Sequence, residues 1–253
     1  MSECVFITGA TGLLGKLYVE EFLKNDYVVV YTSSSQRKIQ EMCKLFHEYV
    51  SIGKLHSVFV DLESDEAIGI IIEWIEKKGI LPDYLINNAR SIKYITVDDY
   101  KLIEKEKWLG EYLLDVVVPY KLMIALSSMK GGRMKSIVNV ASMYGFLPYN
   151  DYLCEGSDAI CINYGVCKAA LIQLSREMAV RLAPKKIRVN SVSYGGVEGR
   201  ADNGFKARYA RLCPTKKMLE RSEISGHMVY LCSSQSEGMT GHNLVVDGGF
   251  SVW

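Results

Sequence analysis

The chain has 253 residues, of which 49% are hydrophobic and 23% are charged, and its formal net charge is +1. This balance argues against a nucleic-acid or membrane-surface partner, and no apolar run approaches the length of a membrane span. The seven cysteines lack CxxC or CxxH spacing, which favours free thiols in a reducing cytoplasm over disulfides or a metal site. We therefore expect a cytoplasmic protein without a metal.

Strands and helices alternate along the first third of the chain. Short apolar runs predict strands at 4–8, 27–32, 57–62 and 83–89. Amphipathic patterns predict a helix after the first strand and further helices at 36–50 and 64–79. This alternation is typical of a parallel sheet with helices on both faces.

The remaining chain continues the pattern with longer helices and loops. We expect a helical region at 99–130 that Pro119 breaks or kinks, strands at 135–142, 187–193 and 243–249, and helices at 162–184 and 216–232. The polar residues from 195 onward predict an irregular substrate lid that extends to about 218. No linker or repeat divides the chain, so residues 1–253 are predicted to form one α/β domain, a doubly wound parallel sheet of about seven strands.

A glycine-rich turn follows the first predicted strand directly. Gly9, Gly12 and Gly15 lie between that strand and a helical pattern. Glycines allow the backbone to approach a pyrophosphate, and the helix N-terminus stabilises the negative charge. Strand, glycine turn and helix therefore indicate a dinucleotide site at the N-terminus.

The end of the second predicted strand bears on which dinucleotide is bound. A carboxylate there would bind the adenosine ribose and favour NAD, but the chain has a run of serines, Ser33 to Ser35, followed by Arg37 and Lys38. Hydroxyls and cations can hold a 2′-phosphate, which favours NADP over NAD. The alternative is that the serines only cap the next helix.

Tyr164 and Lys168 are four residues apart, so a helix places both side chains on one face. An ammonium beside a phenol favours the phenolate, and such a tyrosine can act as a general acid or base near neutral pH. By itself this spacing also fits an exposed tyrosine beside a solvated lysine. Ser142 ends the predicted strand 135–142, at the edge where ligands bind in open α/β sheets.

Several motifs occur in one order along the chain. They are TGATGLLG at 8–15, Asp61, NNA at 87–89, the strand-end Ser142, Tyr164-x-x-x-Lys168, IRVN at 187–190 and VDGG at 246–249. Together they resemble the short-chain dehydrogenase/reductase family over essentially the whole chain. The resemblance implies a single Rossmann-type domain and an NAD(P)-dependent oxidoreductase that interconverts a secondary alcohol and a ketone.

The resemblance also implies a role for each motif residue. Tyr164 would exchange a proton with the substrate oxygen, Ser142 would hydrogen-bond the same oxygen, and Lys168 would hold the nicotinamide ribose and favour the phenolate. The residues expected to bind the cofactor are Gly9, Thr11, Gly12, Leu14, Gly15, Ser33, Ser34, Asp61, Leu62, Asn88, Ala89, Tyr164, Lys168, Gly195 and Val197.

The chain departs from the family pattern at several positions. The family's relay asparagine matches Asp115, which we include among the catalytic candidates because a carboxylate could still hold the relay water. The usual glycine after NNA is Arg90, the proline after the sixth strand is Tyr194, and the threonine near the carboxamide is Gly199.

These departures from the family pattern leave two alternative functions open. The substitutions suit a catalytically weak nucleotide-binding protein that acts as a partner subunit. The GxxGxxG spacing of the glycine turn is that of longer sugar-nucleotide epimerases and dehydratases, which retain their cofactor. The intact Ser142, Tyr164 and Lys168 argue against the first, and chain length argues against the second.

The loop between Ser142 and Tyr164 is longer than the family norm. Its sequence looks like that of a bacterial subgroup associated with flagellin glycosylation and nonulosonic acid pathways, which implies an amino sugar or a nucleotide-linked sugar as substrate. The alternative is that the loop shapes a pocket for some other secondary alcohol or ketone.

The predicted helix 162–184 carries apolar residues on more than one side. Val166 and Ala170 lie outside the stripe formed by Leu171, Leu174, Met178 and Leu182. One side must cover the sheet, and the other suits a two-fold contact. Because compact family members commonly pair through such helices, we expect a homo-oligomer, a dimer or a tetramer, with the terminal Trp253 available for burial against a neighbouring subunit.

Overall fold

The computed structural model describes residues 2–98, 102–154, 161–199 and 201–252. These residues form one sheet of seven parallel strands in the order β3-β2-β1-β4-β5-β6-β7. The strands are β1 (Cys4–Ile7), β2 (Val28–Ser33), β3 (Leu55–Phe59), β4 (Tyr84–Asn87), β5 (Ser136–Ser142), β6 (Arg188–Tyr194) and β7 (Asn243–Val246). The predicted fold class is therefore confirmed.

Helices pack against both faces of this sheet. They are α1 (Leu13–Lys24), α2 (Gln36–Leu45), α3 (His47–Ser51), α4 (Ala67–Lys78), α5 (Lys105–Tyr112), α6 (Val118–Ser127), α7 (Asp151–Cys154), α8 (Ile162–Leu182), α9 (Asn203–Leu212) and α10 (Gly226–Cys232). A π-helical turn, Leu113–Val117, joins α5 to α6. Within the described ranges, no helix combines the length and the apolarity that crossing a membrane requires.

Two hydrophobic cores lie on opposite faces of the sheet because successive strand residues point to opposite sides. On one face Val5 and Ile7 belong to a buried cluster with Phe22 of α1 and Leu231 of α10. On the other face Phe6 belongs to a cluster with residues of α4, α6 and α8. The strands are therefore buried on both sides, as the continuous apolar runs predict.

Some predicted boundaries are wrong in the first half of the chain. The third strand is Leu55–Phe59 instead of 57–62. The predicted helix 36–50 is two helices, because Phe46 leaves helical geometry with φ −114° and ψ 35° and packs against the first core. Burial of this aromatic ring outweighs continuation of the helix.

Pro119 does not break the predicted helical region 99–130. Residues 99–101 lie outside the described residues, and the helical path runs from Lys105 to Ser127. Pro119 stands in the first turn of α6, directly after the π-helical turn. In the π-helical turn the Val118 N–H donates to the Leu113 carbonyl, five residues back. This shift in hydrogen bonding accommodates the missing proline N–H, so the path continues.

The prediction of an irregular segment at 195–215 and a helix at 216–232 is also wrong. Residues 203–212 form α9, whose N-terminus is capped by Asp202 and which buries Tyr209. The predicted helix 216–232 begins only at Gly226. Before it, Leu219 forms backbone hydrogen bonds with Gly196 and Glu198 instead of helical ones. The sequence pattern did not predict α9 because Tyr209 is its one buried residue and the rest of the helix is largely polar.

Candidate active site

Two adjoining cavities open at the carboxyl ends of the strands. The first, ≈ 290 Å³, is lined by the glycine turn, Ser142, Tyr164 and Lys168. The second, ≈ 430 Å³, extends from the same turn past the ends of β2 and β3. Strand order reverses between β1 and β4, which is where open α/β sheets bind their ligands.

The glycine turn requires glycine at two positions for steric reasons. Gly9 has φ +64°, and a Cβ there would lie 2.6 Å from the Cα of Ala89. A Cβ on Gly15 would lie 2.5 Å from the Cα of Ala10. Helix α1 begins at Leu13 with no side-chain cap, so its first N–H groups can receive an anion. This cradle of bare backbone fits the pyrophosphate of a nicotinamide dinucleotide.

Asn88 fastens this turn from the neighbouring strand. Its side-chain amide donates to the carbonyls of Thr8 (3.0 Å) and Gly9 (3.1 Å). The Thr8 hydroxyl in turn accepts from the backbone N–H groups of Asn88 and Ala89. Asn88 and Ala89, which we expected beside the ribose, therefore also hold the turn in place.

The serines after β2 divide their tasks. Ser35 caps α2 by accepting a hydrogen bond from the Lys38 N–H. Helix capping was the alternative role considered for all three serines, Ser33 to Ser35. Ser33 is buried with its hydroxyl 3.3 Å from that of Thr11, whereas Ser34 is exposed. Ser33 and Ser34 line the second cavity, together with Thr11, Lys38, Asp61 and Leu62.

The catalytic candidates come from β5 and α8. Helix α8 places Tyr164 and Lys168 one turn apart, and Ser142 is the last residue of β5. The Ser142 oxygen accepts from the Tyr144 N–H at 3.3 Å, which leaves the Ser142 hydroxyl proton available for a substrate oxygen. All three side chains line the first cavity.

Lys168 is ion-paired below the cavity. It is buried, and its Nζ donates to Asp115 Oδ1 at 2.8 Å and to the Val140 carbonyl at 3.0 Å. Asp115 is also buried and lies on the π-helical turn, a feature frequent at functional sites. The structure thus places Asp115 directly against the lysine ammonium.

Glu111 is a buried acid that the sequence analysis missed. It lies one turn before Asp115, is 1% exposed, and neither carboxylate oxygen has a hydrogen-bond partner. Burial, followed by the nearby Asp115, raises the pKa of Glu111 to about 7. Two carboxylates four residues apart in an otherwise apolar helical segment were the available signal.

Arg90 lies between this buried acid and Tyr164. Its Nε lies 3.8 Å from Glu111 Oε1, and its guanidinium carbon lies 4.1 Å from the centroid of the Tyr164 ring. Arg90 lines both cavities. Its replacement of the family's usual glycine was visible in the sequence, but the contact with Tyr164 was not.

The segment after β6 completes the wall of the first cavity, where Leu14, Gly195 and Val197 also lie. Tyr194, in place of the usual proline, is buried and donates to the Ile224 carbonyl at 2.8 Å. Gly199 has φ +142° and faces Leu13, so a threonine there would be strained. These two departures follow from local packing.

Comparison with known proteins identifies the family. A family model described as Enoyl-(Acyl carrier protein) reductase matches residues 9–251. The chain belongs to the short-chain dehydrogenase/reductase family. As a member, it is an NAD(P)-dependent dehydrogenase or reductase, as the motifs predicted.

Three relatives illustrate the range of this family. "Post-translational flagellin modification protein A" of Campylobacter coli is 25% identical, with 99% of each chain covered. "NADH-dependent L-xylulose reductase" of Ambrosiozyma monospora is 26% identical, over 98% of this chain and 94% of the relative. The solved structure of ElxO with NADP bound has a TM-score of 0.86 at 26% identity and covers 100% of both chains.

Proposed function

We propose that this enzyme interconverts a secondary alcohol and a ketone, with Tyr164 as the general acid and base. The observation that carries the proposal is the meeting of Ser142, Tyr164 and Lys168 with the glycine turn in one cavity. A group that exchanges a proton and a site for a dinucleotide must be adjacent if hydride and proton are to leave the same alcohol.

Each residue has a defined task in the reduction direction. The bound nicotinamide supplies the hydride. The Tyr164 hydroxyl donates its proton to the carbonyl oxygen, and the Ser142 hydroxyl donates a hydrogen bond to the same oxygen as negative charge develops. Lys168 lines the same cavity one helical turn from Tyr164, where it would hold the nicotinamide ribose, and is itself held by Asp115 and the Val140 carbonyl. In alcohol oxidation Tyr164 accepts the proton instead.

We propose an amino sugar or a nucleotide-linked sugar as the substrate. The long loop after Ser142 and the similarity to a flagellin modification protein support this class, and a reductase of L-xylulose among the relatives supports a polyhydroxylated ligand. The 195–218 segment would cover it: Arg208 of α9 donates to the Leu153 carbonyl at 3.1 Å, so this segment packs on that loop.

A substrate panel tests this function. Sugar phosphates, amino sugars and nucleotide-linked sugars are incubated with the enzyme and either cofactor, and absorbance of the reduced nicotinamide is followed. We expect cofactor conversion in proportion to product. Product formed with no net change in the cofactor would identify an epimerase or dehydratase, and cofactor binding without any product would contradict the proposed sugar substrates.

NADP is the cofactor that we propose the enzyme prefers. Ser34 is exposed at the groove that Lys38 also lines, and a hydroxyl with a cation suits a 2′-phosphate. Relatives differ on this point, because one is NADH-dependent and another binds NADP. Dissociation constants for the two cofactors decide the preference.

We also propose a homo-oligomer, a dimer or a tetramer. Helices α5 and α8 lie side by side and expose Leu109 (58%), Ile162 (54%) and Val166 (53%). Such an apolar face suits a contact with a second copy. Trp253, the other residue invoked, lies outside the described residues. Light scattering at micromolar concentration tests the assembly, and a fully active species of 28.4 kDa would contradict it.

A further inference from the structure

Two cations lie close to Tyr164, and their surroundings differ. Lys168 is buried, 2.8 Å from the Asp115 carboxylate, and its Nζ lies 5.7 Å from the centroid of the Tyr164 ring. A buried ion pair at this distance cancels most of the field that the ammonium would exert on a neighbour. In this chain, where Asp115 matches the family's usual asparagine, Lys168 therefore contributes little net charge to Tyr164.

Arg90 is the nearer cation and is the less neutralised one. Its guanidinium carbon is 4.1 Å from the Tyr164 ring centroid, well within the distance at which a cation is attracted to an aromatic face. Its acidic partner, Glu111, is 3.8 Å from Nε, beyond hydrogen-bond distance. An ionised phenol makes the ring more negative, so a guanidinium over the ring favours the phenolate.

We propose that Arg90 is the cation that promotes ionisation of Tyr164 in this enzyme. Asp115 neutralises the charge of Lys168, so Arg90 has the role that Lys168 has in other members of the family. This inference rests on the proposed role of Tyr164 as general acid and base. Arg90 acts through Tyr164 and is a positioning residue for its charge state. The Glu111 carboxylate lies 3.8 Å from Nε on the other side of Arg90.

Other titratable groups surround Tyr164 and must be accounted for. From its own helix comes Lys168, and from the α5 region come Glu111 and Asp115 behind the two cations. Tyr149 faces it from the loop after β5, and burial raises the pKa of Tyr149 well above its usual range, so it stays neutral. Cys161 precedes α8, and burial raises its pKa as well. Burial raises the pKa of Glu111 to about 7.

The first test removes the Arg90 charge and follows the ionisation of Tyr164 directly. The protein is labelled with ¹³C at Cζ of its 16 tyrosines, and the Tyr164 signal is assigned from its loss in Tyr164→Phe. In Arg90→Gln we expect the midpoint of phenolate formation to rise by about one pH unit, and Arg90→Lys should recover part of that shift. Lys93→Gln is the matched control, since Lys93 lies over the ring of Tyr94 instead.

The second test restores the family residue at position 115. Asp115→Asn removes the carboxylate that neutralises Lys168, so we expect the Tyr164 midpoint to fall. In Arg90→Gln/Asp115→Asn the two shifts should largely cancel, because Lys168 regains the task that Arg90 has lost. The acid limb of kcat/KM for alcohol oxidation should move in parallel with the midpoint in every variant.

An unchanged Tyr164 midpoint in Arg90→Gln overturns the proposal, whatever happens to kcat. So does an upward shift in Asp115→Asn. Failure of the proposed function would appear differently: the wild-type enzyme would turn over no substrate in the panel, while the labelled tyrosine would still report the charge over its ring.

Discussion

The end of the site that we propose binds phosphate (the phosphate end) is built from backbone, whereas the end that we propose transfers a proton (the proton-transfer end) is built from side chains. The glycine turn is backbone, contributed by one short segment, and it needs only Gly9 and Gly15 to remain bare. The proton-transfer end is side chains from β4–α5, the π-helical turn, β5 and α8, with four charged groups buried or half-buried together.

The difference explains where this chain departs from its family. The backbone cradle tolerates no Cβ at Gly9 or Gly15, so glycine is required at both positions. A cluster of charges can be rearranged if the charges still balance, and here Asp115 and Arg90 introduce one negative and one positive charge together. The following experiments test the two ends of the site separately.

Removal of the Tyr164 hydroxyl should have the largest effect. Tyr164→Phe should lower kcat by about 10²–10⁴-fold, because the proton-transfer group is lost while the ring remains. Fluorescence titration should show nearly unchanged cofactor affinity, since the glycine turn is intact. Tyr120→Phe, at an exposed tyrosine, serves as the control. Near-wild-type kcat in Tyr164→Phe would remove Tyr164 from the mechanism.

A methyl group in the backbone cradle should affect cofactor affinity next. Gly9→Ala places a Cβ 2.6 Å from the Ala89 Cα at φ +64°, and we expect cofactor affinity to fall about 10- to 100-fold from strain and displacement. Gly53→Ala has a similar φ of +71° with nothing within 4 Å, so calorimetry on this variant isolates the effect of φ. Equal affinity losses in both would show that close approach is unimportant.

Cofactor choice should respond to a single charge at the adenosine end. Ser34→Asp should shift the ratio of the NADP and NAD dissociation constants about tenfold toward NAD, because a carboxylate repels the 2′-phosphate and accepts from the ribose diol. Ser34→Asn is the uncharged control. If wild-type enzyme already binds NAD more tightly, the serines act only in the turn and at the cap of α2.

The smallest expected effect is on the free energy of unfolding, which the burial of Glu111 lowers. Burial raises the pKa of Glu111 to about 7, so the folded state holds a proton that the unfolded state releases above its normal pKa. Stability therefore falls as pH rises toward 7. Glu111→Gln should raise the free energy of unfolding by about 1–2 kcal/mol at pH 8 and by less at pH 5.

Urea denaturation at the two pH values measures this effect. Glu106→Gln, an exposed carboxylate on the same helix, is the matched control and should change stability little at either pH. A pH-independent change in Glu111→Gln would mean that Glu111 is already neutral, or fully ionised, across this range.

Much of the fold was readable because it depends on local patterns. Buried parallel strands require continuous apolar runs, and the turn after β1 requires glycine, so both were predicted from neighbouring residues. Helix α9 and the break at Phe46 were not, because one buried tyrosine and one core-packed phenylalanine outweigh the local pattern. Tertiary packing overrides local helix propensity where it contributes more to the free energy of folding.

The sequence by itself determined the sheet, the glycine turn, and Tyr164 and Lys168 on one helical face. Each follows from spacings of a few residues, which the geometry of a strand or helix converts directly into position. Only the tertiary structure decided which charges meet: Arg90, Glu111, Asp115 and Lys168 come from segments up to 78 positions apart. Their distances depend on how helices pack on a sheet, and electrostatic effects change steeply over those few ångströms.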